Sequence, residues 1–505
     1  MAAHARPAYA SGALYPAARG AARAAAAPGR TARRLLVGIG FVLMAAPLTR
    51  VYVGALPVNL IDVLAVGIYA SVWIGAVRPV SLGRSSPVVG LVAVYAMFIV
   101  GSVIRELTVY SLVLEPVYVL LRLAVGLSMV AVLPYVIRRR VDLDAVLKAS
   151  LVGVCVSAVV AVLYALPPFG LLRLYLNEGS VFFPGRAAAN LEKLAAAAAE
   201  RASSPIGDPN ISGSFFVLWM PLALMAWRTR IWGRGWSLFA MAATVLLASG
   251  ALVTYGRSTV LALVMVAFVV MAFRLFRSSV TMGALVVVAL GFVLTVGMAS
   301  TQFDFALLVG KFERMMEDPT MAHTDRARFA SYEMILPFLE ENPMWAVTGL
   351  GVMGTRGVRL GAISADDLVW RTTEGEIHSM FAAPFFHYGL AAMLVLTALA
   401  LVCGLRAAAM SLRREGSPYL PYWQWLFAAW VGLVPYWLFT HVYVTTEQGH
   451  FFLFFLVGLT VTLGQLDPAF RARRLLRRRW VTPEASGGDA SGGDASGGEL
   501  PGEPR

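Results

Sequence analysis

Apolar residues in this chain fall into runs about as long as a bilayer is thick, separated by polar stretches that hold most of its arginines. A helix needs about 20 mostly apolar residues to cross the hydrocarbon. Read on that criterion, the runs predict spans at 35–49, 58–77, 87–104, 112–136, 147–166, 211–227, 236–254, 258–276, 280–300, 379–404, 420–440 and 449–465. The expected fold is all-α, a polytopic membrane helix bundle of about 12 transmembrane helices. Spans seven and eight are separated by Tyr255-Gly256-Arg257, which reads as a tight turn that Gly256 permits.

Two connections are long, about 167–210 and 301–378, the second lying between spans 9 and 10. Both exceed what joining two helices requires, so they read as functional segments. The expected organisation is a basic tail over 1–34, a transmembrane domain over 35–466 containing the long 301–378 loop, and a tail over 467–505. That last tail is basic and then low in complexity, with the repeat ASGGD-ASGGD-ASGGE, which carries no chemistry.

Composition agrees with a lipid solvent. The 505 residues are 58% hydrophobic and 14% charged, where a soluble protein carries roughly a quarter charged residues. A net charge of +13 raises nucleic-acid binding, but its placement argues for no nucleic acid. Arg78 and Arg84, Arg138 to Arg140, Arg228 to Arg234, Arg274 and Arg277, and Arg406 to Arg414 occupy alternate connections, and both tails are basic. An even number of spans puts all of them on one side, the cytoplasmic one by the positive-inside bias. The long loops then fall on the extracytoplasmic side, and in the second of them acidic residues outnumber basic ones. Cys155 and Cys403 lie inside apolar runs, so no disulfide framework is expected.

Candidate chemistry gathers at that outer side. The first long loop ends Gly207-Asp208-Pro209-Asn210, a turn and helix-start signal that by itself reads as structural. In Thr254-Tyr255-Gly256-Arg257-Ser258, Arg257 stands at the mouth between two spans. It is either a snorkelling interfacial arginine or a contact for phosphate oxygens, which guanidinium pairs bidentately. Arg122 lies within the fourth span, where a charge marks a site or a buried pair, with Asp62 as one possible partner. The second long loop carries Asp325-Arg326-Ala327-Arg328 ahead of an amphipathic stretch, then Asn342-Pro343, then Gly349-Leu350-Gly351 in what reads as a flexible turn. With no strand before it, that Gly-x-Gly is not a nucleotide site. The loop closes on Glu374-Gly375-Glu376-Ile377-His378-Ser379. His378 is either a plain interfacial residue or a general base. His387 falls about half a turn out of phase with it. His441, Glu447 and His450 match no tight ligand spacing, so no metal is expected.

In this order the motifs resemble the O-antigen ligase and O-antigen polymerase superfamily, which also includes bacterial protein O-oligosaccharyltransferases. The resemblance covers roughly 205–389 and extends further through the span count. Two positions depart from its usual pattern: Ser379 stands where Asn follows the histidine, and Gly256 where Ser precedes the arginine. The resemblance implies a glycosyltransferase that is independent of metal and cofactor, in the bacterial inner membrane. Its donor would be a polyprenyl-pyrophosphate-linked glycan, and its acceptor a glycan, lipid or protein. It implies His378 as base and Arg257, Arg122, Arg326 and Arg328 as pyrophosphate contacts, with Asp208, Asn210 and Glu376 in support. A polysaccharide or lipid-linked oligosaccharide transporter or flippase is the rival reading. The two long loops sit at unequal positions and give no sign of paired halves. A purely structural scaffold leaves the long charged loop without a purpose.

Overall fold

The computed structural model describes residues 30–45, 50–53, 56–74, 87–109, 114–165, 209–254, 256–275, 343–349, 351, 382–412, 417–439 and 447–468. In chain order they form α1 (Arg30–Ala45), a hairpin β1 (Arg50–Val53) and β2 (Leu56–Asn59), α2 (Leu60–Ile74), α3 (Pro87–Val109), α4 (Leu114–Val136) and α5 (Arg140–Tyr164). Then follow α6 (Pro209–Thr229), α7 (Arg234–Val253), α8 (Arg257–Leu275), α9 (Pro343–Thr348), α10 (Ala382–Tyr388), α11 (Leu390–Ser411), α12 (Leu420–Phe439) and α13 (Glu447–Leu466). The described residues thus make a helical bundle with one small antiparallel hairpin, in which Val51 pairs with Val58.

Among the described residues six helices are long and apolar enough to cross a membrane: Pro87–Arg105, Arg140–Tyr164, Asn210–Thr229, Arg234–Val253, Leu390–Ser411 and Gly449–Leu466. Leu60–Ala70, Leu123–Val136 and Ser258–Met271 are shorter apolar helices. The expected span at 280–300 lies outside the described residues, as do nearly all of both long loops and the tails beyond 30 and 468. Where spans are described, two expectations change. Helix α1 begins at Arg30, so the end of the presumed basic tail is helical. The tenth span does not start at 379: α10 ends at Tyr388, Gly389 breaks the helix at φ 89°, and the spanning helix is Leu390–Ser411. The short connection expected between spans seven and eight is present: α7 ends at Val253, and α8 opens at Arg257 with the Gly256 carbonyl accepting the Val260 N–H at 3.0 Å.

Helix α1 packs along α5 and α2, α5 along α7, α7 along α6, and α6 along α8 and α12; α12 adjoins α11, α11 adjoins α3, and α4 joins α3 to α13. Close crossings rest on small residues, the usual route to packing where lipid is as apolar as the protein. A Cβ on Gly153 would run into the Phe41 carbonyl of α1. The Ser157 hydroxyl donates to the carbonyls of Met44 at 2.7 Å and Ala45 at 2.9 Å, satisfying the last turn of α1. Helices α6 and α13 are central, with 89% and 94% of their apolar windows buried, against 33% for α3 and α11. Phe215 of α6 meets Phe452 of α13 with ring centroids 4.4 Å apart, and Trp219 meets Trp425 at 5.2 Å. The Trp425 indole donates to the Leu218 carbonyl at 2.9 Å, as a buried N–H must.

The two ends of the bundle differ. At one end sit Arg140 and the turn from α6 to α7, where the Trp232 indole donates to Asp144 at 3.2 Å and Tyr422 also donates to Asp144. Arg33 pairs with Asp142 there at 3.4 Å. The other end holds the starts of α6, α8, α10 and α13 and the ends of α3 and α7.

Candidate functional site

The starts of α6 and α8 meet because Gly213 leaves room. A Cβ at Gly213 would lie 2.7 Å from the Thr254 hydroxyl and would also run into that of Thr259. Any side chain at 213 would therefore separate α6 from the turn. Both threonines are buried, as are Ser212, Ser214 and Ser258. Their hydroxyls are engaged inside the protein: Thr254 donates to the Ala251 carbonyl at 2.7 Å, Ser214 to Ile211 at 2.7 Å, and Tyr436 of α12 to Thr259 at 2.9 Å. This polar layer joins the beginnings of α6 and α8, the helices whose first turns hold Asn210 and Arg257. Asp208 lies outside the described residues, and for Arg257 only the backbone is described.

A second layer lies one helix away, across the Phe215–Phe452 contact. His450, buried in the first turn of α13, stacks near Tyr95 of α3 at 6.3 Å and Phe454 at 4.8 Å. Tyr95 meets Tyr388 edge-on at 5.9 Å. His450 also abuts α4, where a Cβ on Gly126 would be 3.4 Å from its ring. Arg122 lies one helical turn before Gly126, on the same face of α4; only its backbone is described. Among the described residues no group of three or more His, Cys, Asp or Glu side chains is placed to hold a metal ion.

The third layer is built around α9. Helix α9 and Gly349 and Gly351 lie against α10 and the end of α3. His387 is half-buried and donates from Nδ1 to the Gly351 carbonyl at 3.0 Å, since a carbonyl can only accept. The Gly351 N–H donates back to the His387 carbonyl at 3.0 Å, and Ser102 of α3 donates to the same carbonyl at 2.8 Å. Arg105, at the end of the α3 span, donates to the Thr348 hydroxyl and the Gly349 carbonyl. Burial holds the His387 imidazole below its ordinary 6.5, with the Gly351 hydrogen bond pulling the other way.

This contact corrects the reading of Gly349-Leu350-Gly351 as a flexible turn. Gly349 and Gly351 have φ 69° and 99°, and a Cβ on Gly349 would lie 2.5 Å from the His387 carbonyl. Gly389, at φ 89°, faces the Val347 carbonyl with no room for a Cβ. The glycines serve a close, hydrogen-bonded crossing of two backbones.

Of the residues singled out in the sequence, His378, Glu376, Arg326, Arg328 and Asp208 lie outside the described residues. Asn210, Arg257 and Arg122 lie on helices that reach the end where α9 and α10 meet. Sequence reading missed Arg105 and Ser102, which carry polar groups in the last turns of an apolar run. The one available signal was Arg105 at the edge of the hydrocarbon, where a cation pairs or snorkels. Compared with known proteins, the chain matches no family model and no curated protein.

Proposed function

We propose that this chain is a membrane glycosyltransferase of the O-antigen ligase or polymerase kind. It transfers glycan from a polyprenyl-pyrophosphate donor on the extracytoplasmic face of a bacterial inner membrane, with both termini cytoplasmic. The observation that carries the reading is the seating of α6 on the Thr254–Thr259 turn through Gly213. It supports the reading because Gly213 follows Asn210 by three residues, and Thr254 and Thr259 flank Arg257.

In the proposed reaction the acceptor hydroxyl oxygen attacks the anomeric carbon. The bond from that carbon to the pyrophosphate oxygen breaks, and the acceptor proton passes to His378. The lipid pyrophosphate leaves with its charge. Arg257 is the first residue proposed to stabilise that charge, followed by Arg122, Arg326 and Arg328, since cations fixed where charge develops lower the barrier. Asn210, Asp208 and Glu376 support these groups, and the polyprenyl tail runs along the lipid-facing helices.

The test uses the full chain in nanodiscs with a polyprenyl-pyrophosphate-linked glycan and an acceptor fraction. Arg257→Ala and His378→Ala are each expected to lower turnover by about 100-fold or more while the protein stays monodisperse. Full turnover in both variants would remove the site assignment. Movement of intact lipid-linked glycan across the bilayer without transfer would instead establish the flippase. Surface glycans from a deletion strain separate the two transferases. Polymer left on its lipid carrier marks a ligase; single repeats without long chains mark a polymerase.

A further inference from the structure

Lys148 is a cation in an unusual place. It sits two turns into the spanning helix α5, between residues that face lipid. Val141, Val156 and Val159 mark that face, exposed at 74%, 43% and 42%. The neighbouring helix α7 shows lipid a similar stripe through Leu238, Met241 and Val245. Lys148 lies at the seam between the two and is half-buried. Its ammonium is 4.8 Å from the ring centroid of Trp236 and 5.8 Å from that of Trp232. Trp232 belongs to the turn between α6 and α7, so the lysine side chain climbs from the helix to the level of that turn. Side chains tilt toward the start of their helix, which for α5 is the arginine-bearing end. That is the depth at which lipid headgroups meet acyl chains.

The carboxylate nearest in the chain is already engaged. Asp144 accepts from Trp232 at 3.2 Å and from Tyr422, and lies 3.9 Å from Arg140. Asp142 is taken by Arg33. Among the described residues no ion pair joins Lys148 to a carboxylate. Arg234 is exposed two residues before Trp236, at the start of α7, and Arg230 and Arg139 are exposed at the same end. The site thus offers a half-buried cation, an indole surface and, beyond them, the exposed apolar residues of α5 and α7, with further arginines exposed at the same end. Indole rings relieve only part of the cost of a cation there.

We propose that the α5–α7 seam at the arginine-bearing end is a binding site for an anionic phospholipid of the bilayer. Its phosphate sits between Lys148 and Arg234, its glycerol region lies on Trp236, and its acyl chains follow the exposed stripes of α5 and α7. The occupant is a lipid, not a soluble phosphate, because the exposed residues of α5 and α7 beyond Lys148 are apolar. This site lies at the opposite end of the bundle from the residues proposed for glycosyl transfer and does not depend on that reading.

Native mass spectrometry of the detergent-purified full chain, with dioleoyl phosphatidylglycerol against dioleoyl phosphatidylcholine, tests it. Wild type should retain phosphatidylglycerol in preference to phosphatidylcholine. Lys148→Gln should weaken that preference about fivefold, and Lys148→Gln with Arg234→Gln roughly 25-fold, at about 1 kcal/mol per charge. Lys148→Arg should keep it. Equal retention of the two lipids by wild type overturns the site. So does an equal loss from Arg34→Gln, a cation exposed on α1 at the same end, since that would reveal only a diffuse field. Monodispersity and an unchanged thermal midpoint in phosphatidylcholine show that the variants fold.

Discussion

His387 holds two backbones together through one ring nitrogen and its own carbonyl. Because burial lowers its pKa, the folded chain resists a proton that the unfolded chain accepts. The sign follows from linkage. The contribution is intact above the unfolded value near 6.5 and is lost as pH falls from there through the lower folded value. Lowering the pH from about 7.5 to about 5.5 should therefore lower the thermal midpoint, and less so in His387→Asn, which keeps a donor for Gly351 but does not titrate. An equal drop in both proteins would show that His387 carries none of the effect. The histidine was legible in the sequence as a residue at the membrane boundary. Its partner was not, because Gly351 lies 36 positions away and nothing local marks a glycine that meets another backbone. Gly349-Leu350-Gly351 looked loose for the same reason: positive φ serves slack turns and tight crossings alike.

At the scale of elements, the apolar runs located the described helices well, because lipid forces every backbone group into internal hydrogen bonds. Their ends were less legible. The apolar run continues past Gly389, so the sequence predicts a span from 379; the break falls at Gly389, which at φ 89° leaves room for the Val347 carbonyl. The hairpin between α1 and α2 falls mostly in the connection between the first two expected spans, and Arg50–Val53 and Leu56–Asn59 are each too short to show a period of their own. Helix–helix joints were also hidden. Ser157 reads as one small polar residue among many, yet its single hydroxyl proton is shared between two carbonyls in the last turn of α1. Ser157→Ala should lower stability by about 1 kcal/mol in a detergent unfolding titration. No change would mean that those carbonyls find other donors.

Over the whole molecule, the alternation of arginine-rich connections foretold which helix ends share a side, and the contacts at Asp144 and at Gly213 are consistent with it. Which helices form the centre was not legible. Of the six membrane-length helices, α6 and α13 are the least apolar and the most buried. They pack Trp, Phe and hydroxyl side chains against protein, while the more apolar α3 and α11 turn toward lipid. Topology is testable by cysteine labelling in a chain with Cys155 and Cys403 replaced. Arg230→Cys and Ser417→Cys should react with an impermeant maleimide from the cytoplasmic side, and Met344→Cys from the other side. Labelling of positions 230 and 344 from one side would invert the proposed arrangement.

The reciprocal bonds between Gly351 and His387 also bear on how the chain can vary. They bring the two ends of the intervening stretch to a single anchoring point, while Arg105 and Ser102 moor that point to α3. A change at Gly351 is therefore felt by α10 and α3 together and not by one of them alone. Variation at this crossing has to be concerted, so Gly349, Gly351 and Gly389 are the positions where drift should be slowest.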